Sequence, residues 1–393
     1  MKKSSISLCI FVDALGWEIL QEHSFLDTSL VHKQSLRTIF GYSSTCDPTI
    51  LTGALPREHG HFSFYAYDPK NSPFKGSPFI QLMRLVPKAL SSRNRVRNIA
   101  GRIIKRRLDY SGYFNIYNMP FRLLPLFDYT EKKDLYQKGG INSGLSTIMD
   151  YARENQVDLF LADWRASEED NLASLKGVIS DEGRNCTFAY LYMAAMDAIL
   201  HRVGKSHPEV TEKIAWYESQ IQSVLDLANE EYEEVRLFIF SDHGMTDVHT
   251  DINLMAQIER TGLRFGTDYA AVYDSTMARF WFLRPESEPI IRQVLEKERA
   301  GHILDEETVR KWGVDFPNQR YGELFYLMDP GVLIVPSHMG ERTIAGMHGY
   351  TPDDKDSTAS FSSNVELDTY PKGLEDLYSL FKQEIDRNLK DKR

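Results

Sequence analysis

Short runs of β-branched and aromatic residues, each closed by a polar residue, alternate along the chain with stretches whose apolar residues repeat at helical spacing. "SLCIFVD" ends at Asp13, "DLFLADW" covers 158–164, "CTFAYLYM" covers 186–193 and "VRLFIFSDHG" passes through Asp242. Runs this short, apolar at nearly every position, predict strands buried on both faces. Amphipathic spacing with polar entry predicts helices over 142–155, 209–230 and 288–300. The alternation implies an α/β fold, a mostly parallel central sheet with helices on both faces. In such sheets ligands gather at the carboxyl ends of the strands, where Asp13 and Asp242 stand.

The rhythm breaks between 78 and about 135. Arg84, Lys88, Arg93, Arg95, Arg97, Arg102, Lys105, Arg106 and Arg107 follow one another there with no acid among them, interleaved with Leu85, Val86, Ile99, Ile103 and Ile104. The aromatic segment "YFNIYNMPFRLLPLFDY" comes next. This predicts an insertion that caps a single domain spanning 1–393. Its basic run reads either as a solvated, salt-bridged helix pair or, over 84–107, as a face for an anionic membrane surface.

With 393 residues, 42% of them hydrophobic, the chain can bury a large core. The net charge of -10 argues against nonspecific nucleic-acid binding over the whole surface. Cys9, Cys46 and Cys186 stand at unrelated spacings, which supports neither a disulfide framework nor a cysteine zinc site. "MKKSSISLCIFVDALGW" has basic residues ahead of an apolar run, but Asp13 interrupts the run and no small-residue cleavage site follows. The expectation is a cytoplasmic protein with peripheral membrane contact through the insertion.

Candidate chemistry sits at the strand ends. Asp197 and His201 in "MDAILH" are four apart and share a helix face. Asp242 and His243 follow an apolar strand, and His348 lies in "AGMHGY" after "GVLIVP". Mixed carboxylate and imidazole donors suit zinc and related divalent ions. Ser43, Ser44, Thr45 and Cys46 place hydroxyls and a thiol at the start of a short helix that ends at Gly53. They read as caps for that helix or as a nucleophile with its neighbours, because a helix start offers unpaired amides to a phosphate. Tyr65, Tyr67, Arg279 and Trp281 are candidates to line a cleft or to fill the core, and His59, His61, His249 and His338 read as structural or ordinary polar residues.

Taken in order, Asp13, "SSTCDPTILTGALPREHG", "DAILH", "SDHGM" and "MHG" resemble the alkaline phosphatase superfamily. The branch they resemble most is that of the type I phosphodiesterases and nucleotide pyrophosphatases. The resemblance implies the three-layer alkaline phosphatase-like sandwich, with the insertion as its cap. It implies hydrolysis of phosphodiester or pyrophosphate bonds through a covalent phosphoserine on Ser43, with Ser44, Thr45 and Cys46 binding substrate in the first turn. Two divalent metal ions, zinc or in its place manganese, are implied: one on Asp13, Asp242, His243 and Ser43, the other on Asp197, His201 and His348. His59 is then expected to bond loop backbone behind the site. The family usually carries Thr where this chain has Ser43. The implied substrate is a phosphate-ester small molecule or lipid. Alternatives on the same metal core are a phosphotransferase or a phosphonate- or phospholipid-headgroup hydrolase, and, outside catalysis, a metal-binding scaffold.

Overall fold

Six strands form the central sheet: β1 (Lys3–Val12), β2 (His32–Leu36), β3 (Leu159–Leu161), β4 (Phe188–Met193), β5 (Tyr232–Phe240) and β6 (Ala359–Ser363). The structure, a computed structural model, describes residues 2–87, 90 and 93–390. The spatial order is β2-β6-β5-β1-β4-β3, parallel throughout except for β6, which runs antiparallel to both its neighbours. Strand β1 lies between β4 and β5, with Phe11 opposite both Tyr192 and Phe240. Three carboxyl ends therefore meet side by side at the middle of the sheet.

Alternation along β1 divides its side chains between two cores. Ile6, Leu8, Ile10 and Val12 point to one face, where each adds about 1.5–3 kcal/mol on burial. That face packs α-helices whose buried residues include Leu175, Leu200 and Ile221. Cys9 and Phe11 point the other way, onto Ile50, Met149 and Phe381. The polar residues of that second face are paired: Ser7 donates to Glu384, which also receives Arg236 through two bonds of 2.8 and 2.9 Å. Helices on both faces make this the α/β sandwich expected from the sequence.

Five helices matter for the site and its frame: α1 (Ser43–Thr52), α2 (Ile148–Glu154), α3 (Ala195–Val203), α4 (Pro208–Glu231) and α5 (Asp376–Lys390). Helix α2 begins later than the periodicity suggests, because Thr147 and Asp150 close a capping box there. A smaller antiparallel sheet was not legible beforehand. It contains Tyr269–Tyr273, Met277–Phe282, Leu324–Met328 and Gly301–Ile303 in that order.

The segment expected as an insertion leaves after the strand Tyr65–Tyr67 and returns as Phe127–Tyr129, which pairs with it. Ile80, Ala100, Ile104 and Leu124 pack it against Ala270, Val272 and Trp281 of the smaller sheet. Its basic run does not form one uniform face. Arg97 is buried and its guanidinium donates to the carbonyls of Ile116, Tyr117 and Met119. Arg84, Arg93, Arg95, Arg102, Arg106 and Arg107 are exposed, as are Leu82, Leu85 and Ile99, while Lys88 lies outside the described residues.

Candidate active site

Asp13 follows β1 directly and its amide bonds to Met193 O at 3.0 Å, tying it to the end of β4. Ala14, next along, holds φ +62°, unusual for a residue with a side chain, and its N–H donates to Asp242 Oδ1 at 3.2 Å. Asp242 and His243 leave the end of β5. Gly244 lets that turn lie flat on a neighbouring segment, since a Cβ there would stand 2.1 Å from Asp356 O. Asp197 and His201 come from the first and last turns of α3. His348 is brought in by the strand Gly346–Met347, and Gly349 after it turns at φ +86°.

These side chains converge. Donor atoms of Asp13, Asp242 and His243 lie within 4.8 Å of one another, and so do those of Asp197, His243 and His348. His243 Nε2 is 3.1 Å from Asp242 Oδ2 and 3.7 Å from Asp13 Oδ1. Its ring stacks on that of His348 with centroids 3.7 Å apart. The arrangement differs from the expected division in two respects: His243 belongs to both groups, and His201 falls outside the second. His201 stands beside the second, with Nε2 3.2 Å from Asp197 Oδ1 and Nδ1 fixed at 2.9 Å by Gly346 O.

The donor set fits divalent cations. Asp13 Oδ1, Asp197 Oδ1 and Asp242 Oδ2 are sealed from solvent and, among the described residues, have histidine ring nitrogens as their neighbours, a costly state for three carboxylates unless cations complete it. Burial raises the Asp13 carboxyl well above its usual range, and the Asp242 and Asp197 charges raise it further. Burial alone would depress His243, but the Asp242 charge and its bond, with Asp13 and Asp197, push it up to about 10. Burial lifts Asp197 too, but the His201 charge and bond and the His348 charge outweigh it and leave the group below the ordinary range. The field of the pocket calls for positive charge at its centre.

Ser43 opens α1. The helix has Tyr42 at its N-cap and no side-chain cap, so the hydroxyls are not spent on capping. Ser43 Oγ lies 3.1 Å from His243 Nε2. The Thr45 and Cys46 amides turn back to Tyr42 O, leaving those of Ser43 and Ser44 at the helix mouth. Ser44 lines the cavity, but Thr45 and Cys46, expected beside it as substrate-binding groups, do not. Thr45 is fully buried and its hydroxyl donates to Phe62 O. Cys46 faces Thr38 in the core with Ile50 and Phe11, since helical rotation carries it off the mouth.

The cavity holds about 510 Å³ and takes in Asp13, Ser43, Asp197, His201 and His348. Asp47, Glu131 and the aromatic rings around them line it as well and were not among the sequence candidates. Asp47 had a usable signal, because it stands four residues after Ser43 on the same helix face. Glu131 had none. Tyr65, Arg279 and Trp281 are buried in the core and, with Tyr67, absent from the cavity wall. Arg279 instead ties Asp274 at 2.9 Å, Ser63 at 2.8 Å and two backbone carbonyls beneath it. His59 accepts or donates at Thr49 Oγ1 and accepts from the His61 amide, as expected of a residue bracing the loop behind α1.

The sequence profile "Type I phosphodiesterase / nucleotide pyrophosphatase" matches residues 8–351. Among solved structures, murine ectonucleotide pyrophosphatase/phosphodiesterase 5 superposes with a TM-score of 0.68 at 15% identity, over 98% of this chain and 95% of that one. An inactive variant of the murine protein in complex with AMP and the human protein each give a TM-score of 0.68 at 14% identity, with the same coverage. No curated protein sequence matches the chain.

Proposed function

The chain belongs to the type I phosphodiesterase/nucleotide pyrophosphatase family, enzymes that hydrolyse phosphoester and pyrophosphate bonds, and on that premise we propose that Ser43 is its nucleophile. The observation that carries this reading is Ser43 Oγ at the open mouth of α1, 3.1 Å from His243 and in the same cavity as Asp13, Asp197 and His348. Ser43 Oγ bonds to phosphorus as the bond to the leaving-group oxygen breaks, and water then hydrolyses the phosphoserine. The Ser43 and Ser44 amides and the positive end of α1 face the negative oxygens of the phosphate. Tyr192 donates to Asp13 Oδ2 at 2.6 Å and holds that carboxylate in place.

The residues that would hold two divalent ions are Asp13, Asp242 and His243 on one side, and Asp197 and His348 with His201 beside them on the other. When bound, such ions supply Lewis acidity to the phosphoryl oxygens and neutralise the pocket's excess negative charge. Zinc suits this mixture of imidazole and carboxylate, with manganese as the alternative. Release of p-nitrophenol from bis- and mono-p-nitrophenyl phosphate, with and without chelator, tests the reading. Preference for the monoester, or activity indifferent to chelation, would overturn it.

The insertion supports a second element, contact with an anionic membrane. Leu82, Leu85 and Ile99 are 61%, 80% and 58% exposed, and Arg84, Arg95, Arg102 and Arg106 are exposed on the same segment. Apolar side chains set among exposed cations suit the boundary of an acidic bilayer. A cytoplasmic location agrees with three free, buried cysteines.

A further inference from the structure

Helix α3, which carries Asp197 and His201, begins without a cap of its own. Its N-cap position is Ala194, and no side chain there accepts from the first turn. Asp197 is the acid of that turn and stands where a carboxylate ordinarily serves the free amides. It is committed elsewhere: its Oδ1 lies 3.2 Å from His201 Nε2 and 3.6 Å from His348 Nε2. The helix therefore starts with amides that another element must satisfy.

Glu168 does so, although it does not line the cavity. It opens the helix Glu168–Ser180, is 9% exposed, and accepts the Ala195 amide on Oε1 at 2.8 Å. The same oxygen accepts from the Tyr217 hydroxyl at 2.8 Å, and that hydroxyl in turn accepts the Met196 amide at 3.1 Å. Lys213 pairs with Oε2 at 2.5 Å and holds the carboxylate from its other side. Tyr217 and Lys213 stand one turn apart on α4, and Leu172, Leu175 and Ile179 of the Glu168 helix share a core with Tyr217, Ile221 and Val224. Two packed helices thus fix the clamp. The other end of α3 is held by the site itself, since His201 Nδ1 meets Gly346 O at 2.9 Å and the His201 carbonyl accepts the Ala345 amide at 3.0 Å.

We propose that Glu168, with Tyr217, is a positioning residue for the second cation: it caps α3 from a distant part of the chain and so leaves Asp197 free to face the ion. A helix end without partners frays, and fraying here moves Asp197, just past the clamped Ala195 and Met196, relative to His348 and His243. Asp13 and Asp242 stand instead at the ends of neighbouring hydrogen-bonded strands, β1 and β5. The two half-sites therefore differ in their need for Glu168. The inference rests on the two-ion reading above.

The test dialyses the full chain against graded levels of buffered free zinc and counts zinc per chain by atomic emission. The native chain is expected to hold two ions. Glu168→Ala and Tyr217→Phe should each need at least about tenfold more free zinc to fill the second, with the first unmoved. Glu168→Gln keeps a carbonyl oxygen for the Ala195 amide and should fall between. Ile221→Val thins the same helix packing and lowers Tm, but should move neither ion, which separates positioning from loss of stability. With two ions in the native chain, three results would overturn the proposal alone: both ions weakened alike, the second unmoved in Glu168→Ala and Tyr217→Phe, or the second weakened as much by Ile221→Val. A native chain that holds fewer than two ions, with zinc and with manganese alike, overturns the two-ion reading and the proposal with it.

Discussion

Ser43 Oγ and His243 Nε2 lie 3.1 Å apart although 200 residues separate them in the chain. The contact exists because β1 and β5 are neighbours: one strand end presents Asp13, the other presents Asp242 and His243, and α1 aims its first residue between them. If that hydroxyl is the attacking group, Ser43→Ala should lower kcat on bis-p-nitrophenyl phosphate by at least about a thousandfold. Ser43→Thr, which keeps a hydroxyl there, should retain far more. Steady-state kinetics on the three proteins decide it, and an active Ser43→Ala ends the assignment.

Removing divalent ions should cost stability as well as activity. Three carboxylates crowd the site with oxygens sealed from solvent, and a cation would relieve their mutual repulsion. A cation bound at a hundred times its Kd stabilises the fold by about 2.7 kcal/mol. Dialysis against chelator should therefore lower Tm by several degrees, and zinc or manganese should restore it. Asp242→Asn should abolish that metal-dependent rise; a Tm indifferent to chelator would count against the site.

Acid should unfold the protein through two buried histidines that do not line the cavity. Burial holds His61 at about 3 and His338 at about 3, and both ring nitrogens accept backbone amides, from Asn142 and Tyr273. A neutral ring accepts such bonds and a protonated one does not. Because the unfolded chain binds these protons near pH 6.5, the stability is whole above that pH. It falls by roughly 1.4 kcal/mol per pH unit for each histidine down to about pH 3. Urea denaturation as a function of pH reads the slope, which His338→Gln should make shallower.

Cys46 should prove a core residue. It is 1% exposed and packs with Ile50 and Phe11. Cys46→Ala is expected to cost about 1 kcal/mol in unfolding free energy through lost packing, with KM for the diester unchanged. A rise in KM without a loss of stability would restore it to the substrate site.

Membrane contact has its own readout. Native protein should co-sediment with vesicles rich in acidic phospholipid at low salt and be released at high salt. Replacing Arg95, Arg102 and Arg106 by Glu should weaken that binding at least tenfold. Equal binding to neutral vesicles would rule out the electrostatic part.

Much of the frame was legible because buried strands leave short, unbroken apolar runs whatever surrounds them. That is why β1, β4 and β5 could be read with their carboxyl-end acids. Strand β6 escaped because "ASFSS" reads as polar. Its serines are buried by bonding: Ser360 donates to Leu15 O and its amide to Ser241 Oγ. Glu131 escaped for a related reason, since nothing local distinguishes an acid destined for a cavity from one on the surface.

By itself the sequence determined which groups arrive at strand and helix ends, because periodicity and chain order are local properties: Asp13, Asp197, Asp242 and His348 could be named from them, and Ser43 from the resemblance of its motif. Only the tertiary structure decided what those groups share. Helix rotation turned Cys46 and Thr45 inward while leaving Ser43 and Ser44 at the mouth, and strand neighbourhood placed His243 between two sets of carboxylates. Burial, which depends on everything packed around a residue, raised the Glu131 carboxyl to about 8 in the cavity wall.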